Sequence, residues 1–131
     1  MRYNRVMLVD DNEIDNLING KIIESNTFAE VIDIFDTGQK ALDYLAANAT
    51  PELQDKLPEI IFLDINMPIM DGFQFLEVFE TFNAVVTNKC RIIMLSSSIS
   101  PKDIDRAASS KYVKKYLNKP LNSRYLDAIT V

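Results

Sequence analysis

The 131-residue chain has no histidine and no tryptophan. The first absence excludes Ser-His-Asp and Cys-His nucleophilic centres and His-ligated zinc. The second removes the indole that would stack on a flavin. Only three glycines occur, Gly20, Gly38 and Gly72, too far apart to build a phosphate loop or a dinucleotide fingerprint. One cysteine, Cys90, cannot form an intramolecular disulfide, which suits a reducing compartment. No segment reaches the roughly 18 apolar residues of a membrane span. The N-terminal apolar run is cut short by Asp10 and Asp11, so no signal peptide is read there. A formal charge of -5 gives no electrostatic footprint for nucleic acid or an anionic membrane. The expectation is a soluble, cytoplasmic protein whose chemistry rests on carboxylates, hydroxyls and lysines.

Hydrophobic residues make up 47% and charged residues 25%, enough for one buried core within residues 1–131, a single domain. Apolar runs at Val6–Val9, Val31–Phe35, Ile60–Leu63, Ile92–Leu95 and, more weakly, Tyr112–Leu117 alternate with amphipathic stretches. The first four do not alternate strictly, as expected of strands buried on both faces of a parallel sheet. Ile14, Leu17, Ile18 and Ile22 share one face of a first helix, and Ala41, Leu42 and Leu45 mark a second. Phe75, Leu76, Phe79 and Phe82 mark a third, and Ile104, Ala107 and Ala108 a fourth. Asn12 with Asp15, and Ser100-Pro101 with Asp103, have the form of helix N-caps with acidic first turns; Asn122 caps a short final helix. Residues Asn48 to Pro58 read as a surface loop. Five β-α units of this kind predict a doubly wound α/β fold, in which ligands bind beyond the carboxyl ends of the strands.

The residues that end the strands are therefore the ones to inspect. They are Asp10-Asp11, Asp64, Ser96-Ser97-Ser98 and Lys119-Pro120. Charged groups directly after apolar runs are penalised by burial unless they are paired. Three gathered carboxylates repel one another, and a hard divalent cation relieves that repulsion. A lysine and a hydroxyl facing the cation complete a cradle for a phosphoryl group. A carboxylate can be the acceptor, and Asp64 is central.

Val9-Asp10-Asp11-Asn12, Leu63-Asp64-Ile65-Asn66-Met67-Pro68 with Asp71-Gly72, Ser96 after Ile-Ile-Met-Leu, and Lys119-Pro120 together resemble the signature of response-regulator receiver domains of two-component systems. The resemblance runs over essentially the whole chain, one motif per strand end. It implies a flavodoxin-like, five-stranded parallel sheet of order 2-1-3-4-5. It implies that Asp64 is the phosphoacceptor, with Mg²⁺ (or Mn²⁺ as a substitute) held by Asp10, Asp11, Asp64 and the backbone carbonyl of Asn66. Ser96 and Lys119 would contact the phosphoryl group, Ser96 and Tyr116 would form the switch, and Lys119-Pro120 would be cis. Ile65 and Ser97, at the access to Asp64, are expected to tune dephosphorylation.

The implied donor is a histidine kinase or histidine phosphotransfer protein, because this chain has no histidine to carry the phosphoryl group itself. The implied output is a protein target on the face of the fourth helix, fifth strand and fifth helix. Such a domain is a switch with slow self-dephosphorylation, not a turnover enzyme. A phosphohydrolase of the aspartyl-phosphate type would need a second acid where Asn66 stands. No output domain follows Val131, which fits a stand-alone receiver and an excised domain equally. Cys90, Met67, Met70 and the phenylalanines are read as packing residues, and Lys111, Lys114 and Lys115 as a solvated strip.

Overall fold

In the computed structural model, which describes residues 2–130, five strands are β1 (Tyr3–Val9), β2 (Ala29–Phe35), β3 (Ile60–Leu63), β4 (Arg91–Ser96) and β5 (Val113–Asn118). They form one sheet of order β2-β1-β3-β4-β5, and every pairing is parallel. Alternate residues of a strand face opposite sides, and here both sides are covered. Val6, Leu8, Ile60, Phe62, Ile93 and Leu95 join one core, while Met7, Val9, Ile61, Leu63, Ile92 and Met94 join the other. Two-sided burial is why the central strands are continuous apolar runs.

The helices are α1 (Glu13–Ser25), α2 (Gly38–Ala47), α3 (Gly72–Phe79), α4 (Ala84–Lys89), α5 (Pro101–Ala108) and α6 (Ser123–Ala128). Ile23 of α1 and Leu126 of α6 pack on the first face. Leu42 of α2, Phe75 and Phe79 of α3, Val86 of α4 and Ala107 of α5 pack on the second. Asn12 and Asn122 cap α1 and α6, accepting from the backbone N–H of Asp15 and Tyr125. Asp71 and Gln74 close a reciprocal capping box that starts α3 immediately after the β3 loop. No helix among the described residues is long and apolar enough to cross a membrane.

The structure differs from the sequence expectation at five places, the first being Phe82, which lies beyond the end of α3. Residues Asn48 to Pro58 are not wholly irregular, since Pro51–Lys56 form a 3₁₀ helix. A short helix, α4, stands between the third and fourth expected ones, capped by Asn83; the expected fourth and fifth helices are thus α5 and α6. Ser100 precedes α5 without a side-chain cap bond. The largest difference lies in α1. Its apolar stripe exists, but Ile14, Leu17 and Ile18 are 67%, 58% and 43% exposed, while Asn16 and Asn19 are buried against the sheet. Asn16 Nδ2 donates to the Asp10 carbonyl at 2.8 Å, and Asn19 Oδ1 accepts from Leu121 N–H at 3.0 Å. Two amides that find backbone partners beneath the helix turn its polar side inward.

Candidate functional site

Parallel strands deliver their carboxyl ends to the same edge of the sheet, so β1, β3, β4 and β5 present their terminal residues together. Asp10 and Asp11 follow β1, Asp64 follows β3, Ser96 ends β4 and Lys119 lies one residue past β5. Each of Asp10, Asp11 and Asp64 offers a carboxylate oxygen, and these oxygens all lie within 4.8 Å of one another. Asp10 and Asp64 are each 5% exposed, whereas Asp11 is open to solvent. The three sit with Asn66, Ser97 and Lys119 around an open cleft. An all-oxygen donor set with two buried carboxylates fits a hard divalent cation such as Mg²⁺ or Mn²⁺.

Lys119 is the counter-charge. Its Nζ stands 2.6 Å from Asp10 Oδ2, 2.9 Å from Asp15 Oδ2 and 3.4 Å from Asp64 Oδ2. Burial alone would lower the Lys119 pKa, yet hydrogen bonds to Asp10 and Asp15 and the charges of Asp64 and Asp10 raise it above the usual lysine value. Burial, followed by the charge of Asp10, pushes Asp64 up to about 6, with Lys119 working against both. A carboxyl poised this close to neutrality beside two other acids marks a place where burial has been arranged against charge.

The loop after β3 approaches the backbone of Asp64 closely. Gly72 N–H donates to the Ile65 carbonyl at 2.8 Å. A Cβ on Gly72 would stand 2.5 Å from the Asp64 carbonyl oxygen and 2.9 Å from Ile65 Cα, both backbone atoms that cannot yield cheaply. Gly72→Ala is therefore expected to destabilise the protein by about 2–3 kcal/mol and to weaken Mg²⁺ binding in the same variant. Urea unfolding and a Mg²⁺ titration read the two effects; unchanged values for both would contradict the close approach.

Other expected site residues sit differently. Ser96 is fully buried, and its Oγ accepts from Ser98 N–H at 3.2 Å; Ser97, its neighbour, lines the cleft. Ile65 is buried in the core, so it does not line the access to Asp64; exposed Asn66 does. Tyr116 is half-buried, and its hydroxyl donates to the Ser98 carbonyl at 2.9 Å. The Lys119-Pro120 peptide is cis, as expected. Two contributors escaped the sequence reading. Asp15 looked like an ordinary acidic first-turn residue, and Ser98 looked like a loop serine. No sequence signal marks either one, because their partners, Lys119 and Tyr116, are distant in the chain.

Residues 6–130 match the family described as the response regulator receiver domain. The chain belongs to that family. A two component response regulator from Cytophaga hutchinsonii is similar in structure, with a TM-score of 0.87 and 31% identity over 97% of this chain and 93% of that one. The probable methanogenesis regulatory protein FilR2 of Methanothrix harundinacea is 29% identical over 117 residues, 89% of this chain and 72% of that protein. A protein-glutamate methylesterase/protein-glutamine glutaminase of Syntrophomonas wolfei is 25% identical over the full chain, which spans only 34% of that relative. Receivers are signalling switches that are phosphorylated on aspartate by histidine kinases or phosphotransfer proteins.

Proposed function

We propose that this receiver, taken as one unit over its 131 residues, accepts a phosphoryl group on Asp64 from a partner phosphohistidine and reports it through β4, α5 and β5. One observation carries the reading: a buried carboxylate at the mouth of an open cleft, grouped with two further acids and 3.4 Å from a lysine ammonium. An oxygen of Asp64 attacks phosphorus in line, the phosphorus–nitrogen bond of the donor breaks, and the imidazole leaves. Asp10, Asp11, Asp64 and the Asn66 carbonyl would hold Mg²⁺, which would neutralise charge on the phosphoryl oxygens. Lys119 supplies the matching positive charge from the other side. Ser96, once turned from Ser98, donates its hydroxyl to a phosphoryl oxygen. The test is incubation with acetyl phosphate and Mg²⁺ followed by intact mass. One added phosphoryl group supports the reading, and none, or a group gained equally without Mg²⁺, contradicts it.

The route outward passes through Ser98. Its N–H is held by Ser96 Oγ, its carbonyl by Tyr116 and Asn118, and its Oγ donates to Asp103 of α5 at 2.7 Å. A phosphoryl group that draws Ser96 inward removes one of these holds. Tyr116 and the start of α5 then repack, which changes the α5-β5-α6 face offered to a protein target.

The donor's approach is read from α1. Ile14 lines the acid cleft, and Leu17 and Ile18 continue the exposed apolar stripe along the helix. The donor histidine is not among these residues, and the apolar surface beside the cleft is where its carrier buries area. Leu17→Ser is expected to slow transfer from a phosphohistidine protein about tenfold, the loss of one apolar anchor at an interface. Labelling by acetyl phosphate should be unchanged, since that donor needs no docking. Equal slowing with both donors would place the defect in the site instead.

A further inference from the structure

Among the described residues Lys119 has three carboxylate partners, and one of them is not at a strand end. Its Nζ donates to Asp15 Oδ2 on α1 at 2.9 Å. The other two partners, Asp10 and Asp64, belong to the oxygen set that would hold a divalent cation. Lysine and cation therefore compete for the same carboxylates. The ammonium lies 2.6 Å from Asp10 and covers part of that set. An ammonium pushed off Asp10 by an incoming cation needs a place to stand that is neither the metal's ligands nor bulk solvent. Its side chain is only 12% exposed, so an ammonium kept in the cleft without a carboxylate would be a buried, unpaired charge.

We propose that Asp15 is a positioning residue for Lys119: it holds the ammonium beside the acid cluster while Mg²⁺ takes Asp10. The inference rests on the cation-binding reading of the cluster given above. An ammonium has three N–H donors in a flexible arrangement. With one kept on Asp15, the others turn from Asp10 toward the position a phosphoryl oxygen would occupy beside Asp64. Asp15 suits this task because it is fixed on α1. Its own backbone N–H is bonded by the Asn12 cap, and the helix is pinned to the site by Asn16 on the Asp10 carbonyl. It is also half-exposed, with a side-chain accessibility of 32%, so its charge is tolerated without a metal.

The test is a double-mutant cycle on Mg²⁺ affinity, measured by calorimetry with the metal alone. Asp15→Asn is expected to weaken Mg²⁺ binding about tenfold, the size of coupling seen between groups in contact. Lys119→Met alone is expected to tighten it, because a competing cation is gone. In the Lys119→Met background Asp15→Asn should weaken binding only about twofold, the residual effect of a nearby charge in a solvated cleft. Glu13→Gln removes a charge from the same cleft and the same helix turn, and should match that small residual. A tenfold loss in both backgrounds would overturn the proposal and leave Asp15 as a simple charge. Absence of Mg²⁺ binding by the wild-type protein would instead sink the cation site itself. A second measurement needs no variant: the side-chain ammonium resonance of Lys119, followed by ¹⁵N NMR, should stay protected from exchange when Mg²⁺ is added. Loss of that protection would mean that Asp15 does not retain the lysine, and would overturn the proposal as well.

Discussion

Asp64→Asn is expected to abolish phosphoryl uptake: wild-type protein with acetyl phosphate and Mg²⁺ gains one phosphoryl mass, and the variant gains none. The amide has nearly the shape of the carboxyl but lacks the anionic oxygen that attacks phosphorus. The neighbouring acids cannot readily substitute. Asp10 is held by Lys119 at 2.6 Å and by Asn12 N–H at 2.9 Å, and Asp11 lies out in solvent. EDTA added to the wild-type protein beforehand should prevent uptake equally. Labelling of Asp64→Asn at the wild-type level would move the acceptor elsewhere and remove the basis of the functional reading.

The same substitution is expected to stabilise the metal-free protein above pH 7, by about 2 kcal/mol. Asp64 titrates at about 6 in the fold, against an ordinary value of 3.8, because burial and the charge of Asp10 disfavour its ionised form. The folded state thus holds this proton more tightly than the unfolded chain does. The resulting stability is complete below about pH 4 and is lost as pH rises through 6. A carboxyl raised that far loses about 3 kcal/mol on ionising in the fold; solvent entering the open cleft screens part of this, leaving about 2 kcal/mol. Asparagine has no charge to desolvate, so the variant escapes the loss.

In EDTA at about pH 7.5 its melting temperature should therefore exceed that of the wild type by about 5–10 °C, and the gap should close as pH falls toward about 4. Saturating Mg²⁺ should narrow the gap at the higher pH as well, because the cation binds the folded wild type more tightly than it binds the variant. A variant less stable than the wild type in EDTA would show that Asp64 is well paired in the metal-free protein. The proposed site is in this sense a stability deficit held in place by the surrounding core.

Much of the fold was legible because burial writes itself into composition. Ile60-Ile61-Phe62-Leu63 is apolar without interruption because β3 lies mid-sheet under helices on both faces, and only such a strand has no polar side to show. β5 was fainter in sequence, since an edge strand carrying Lys114 and Lys115 buries less. The gathering of Asp10, Asp11, Asp64 and Lys119 was legible for a related reason. Charged groups directly after buried strands must meet at the carboxyl edge of a parallel sheet, whatever their distance in the chain.

What the sequence by itself determined was the set of strands, most of the helices, the edge at which the acids and the lysine meet, and the chemistry those groups allow. Only the tertiary structure decided which way α1 faces, that Ser96 is turned to Ser98 while Ser97 meets the cleft, and that Asp15 shares Lys119. Periodicity reports that Ile14, Leu17 and Ile18 lie on one side of a helix, but the direction of that side depends on what the opposite side finds beneath it. Asn16 and Asn19 find the Asp10 carbonyl and the Leu121 N–H there. Hydrogen bonds of that kind join residues as much as 102 positions apart, and no local pattern in a chain encodes a partner that folding alone brings near.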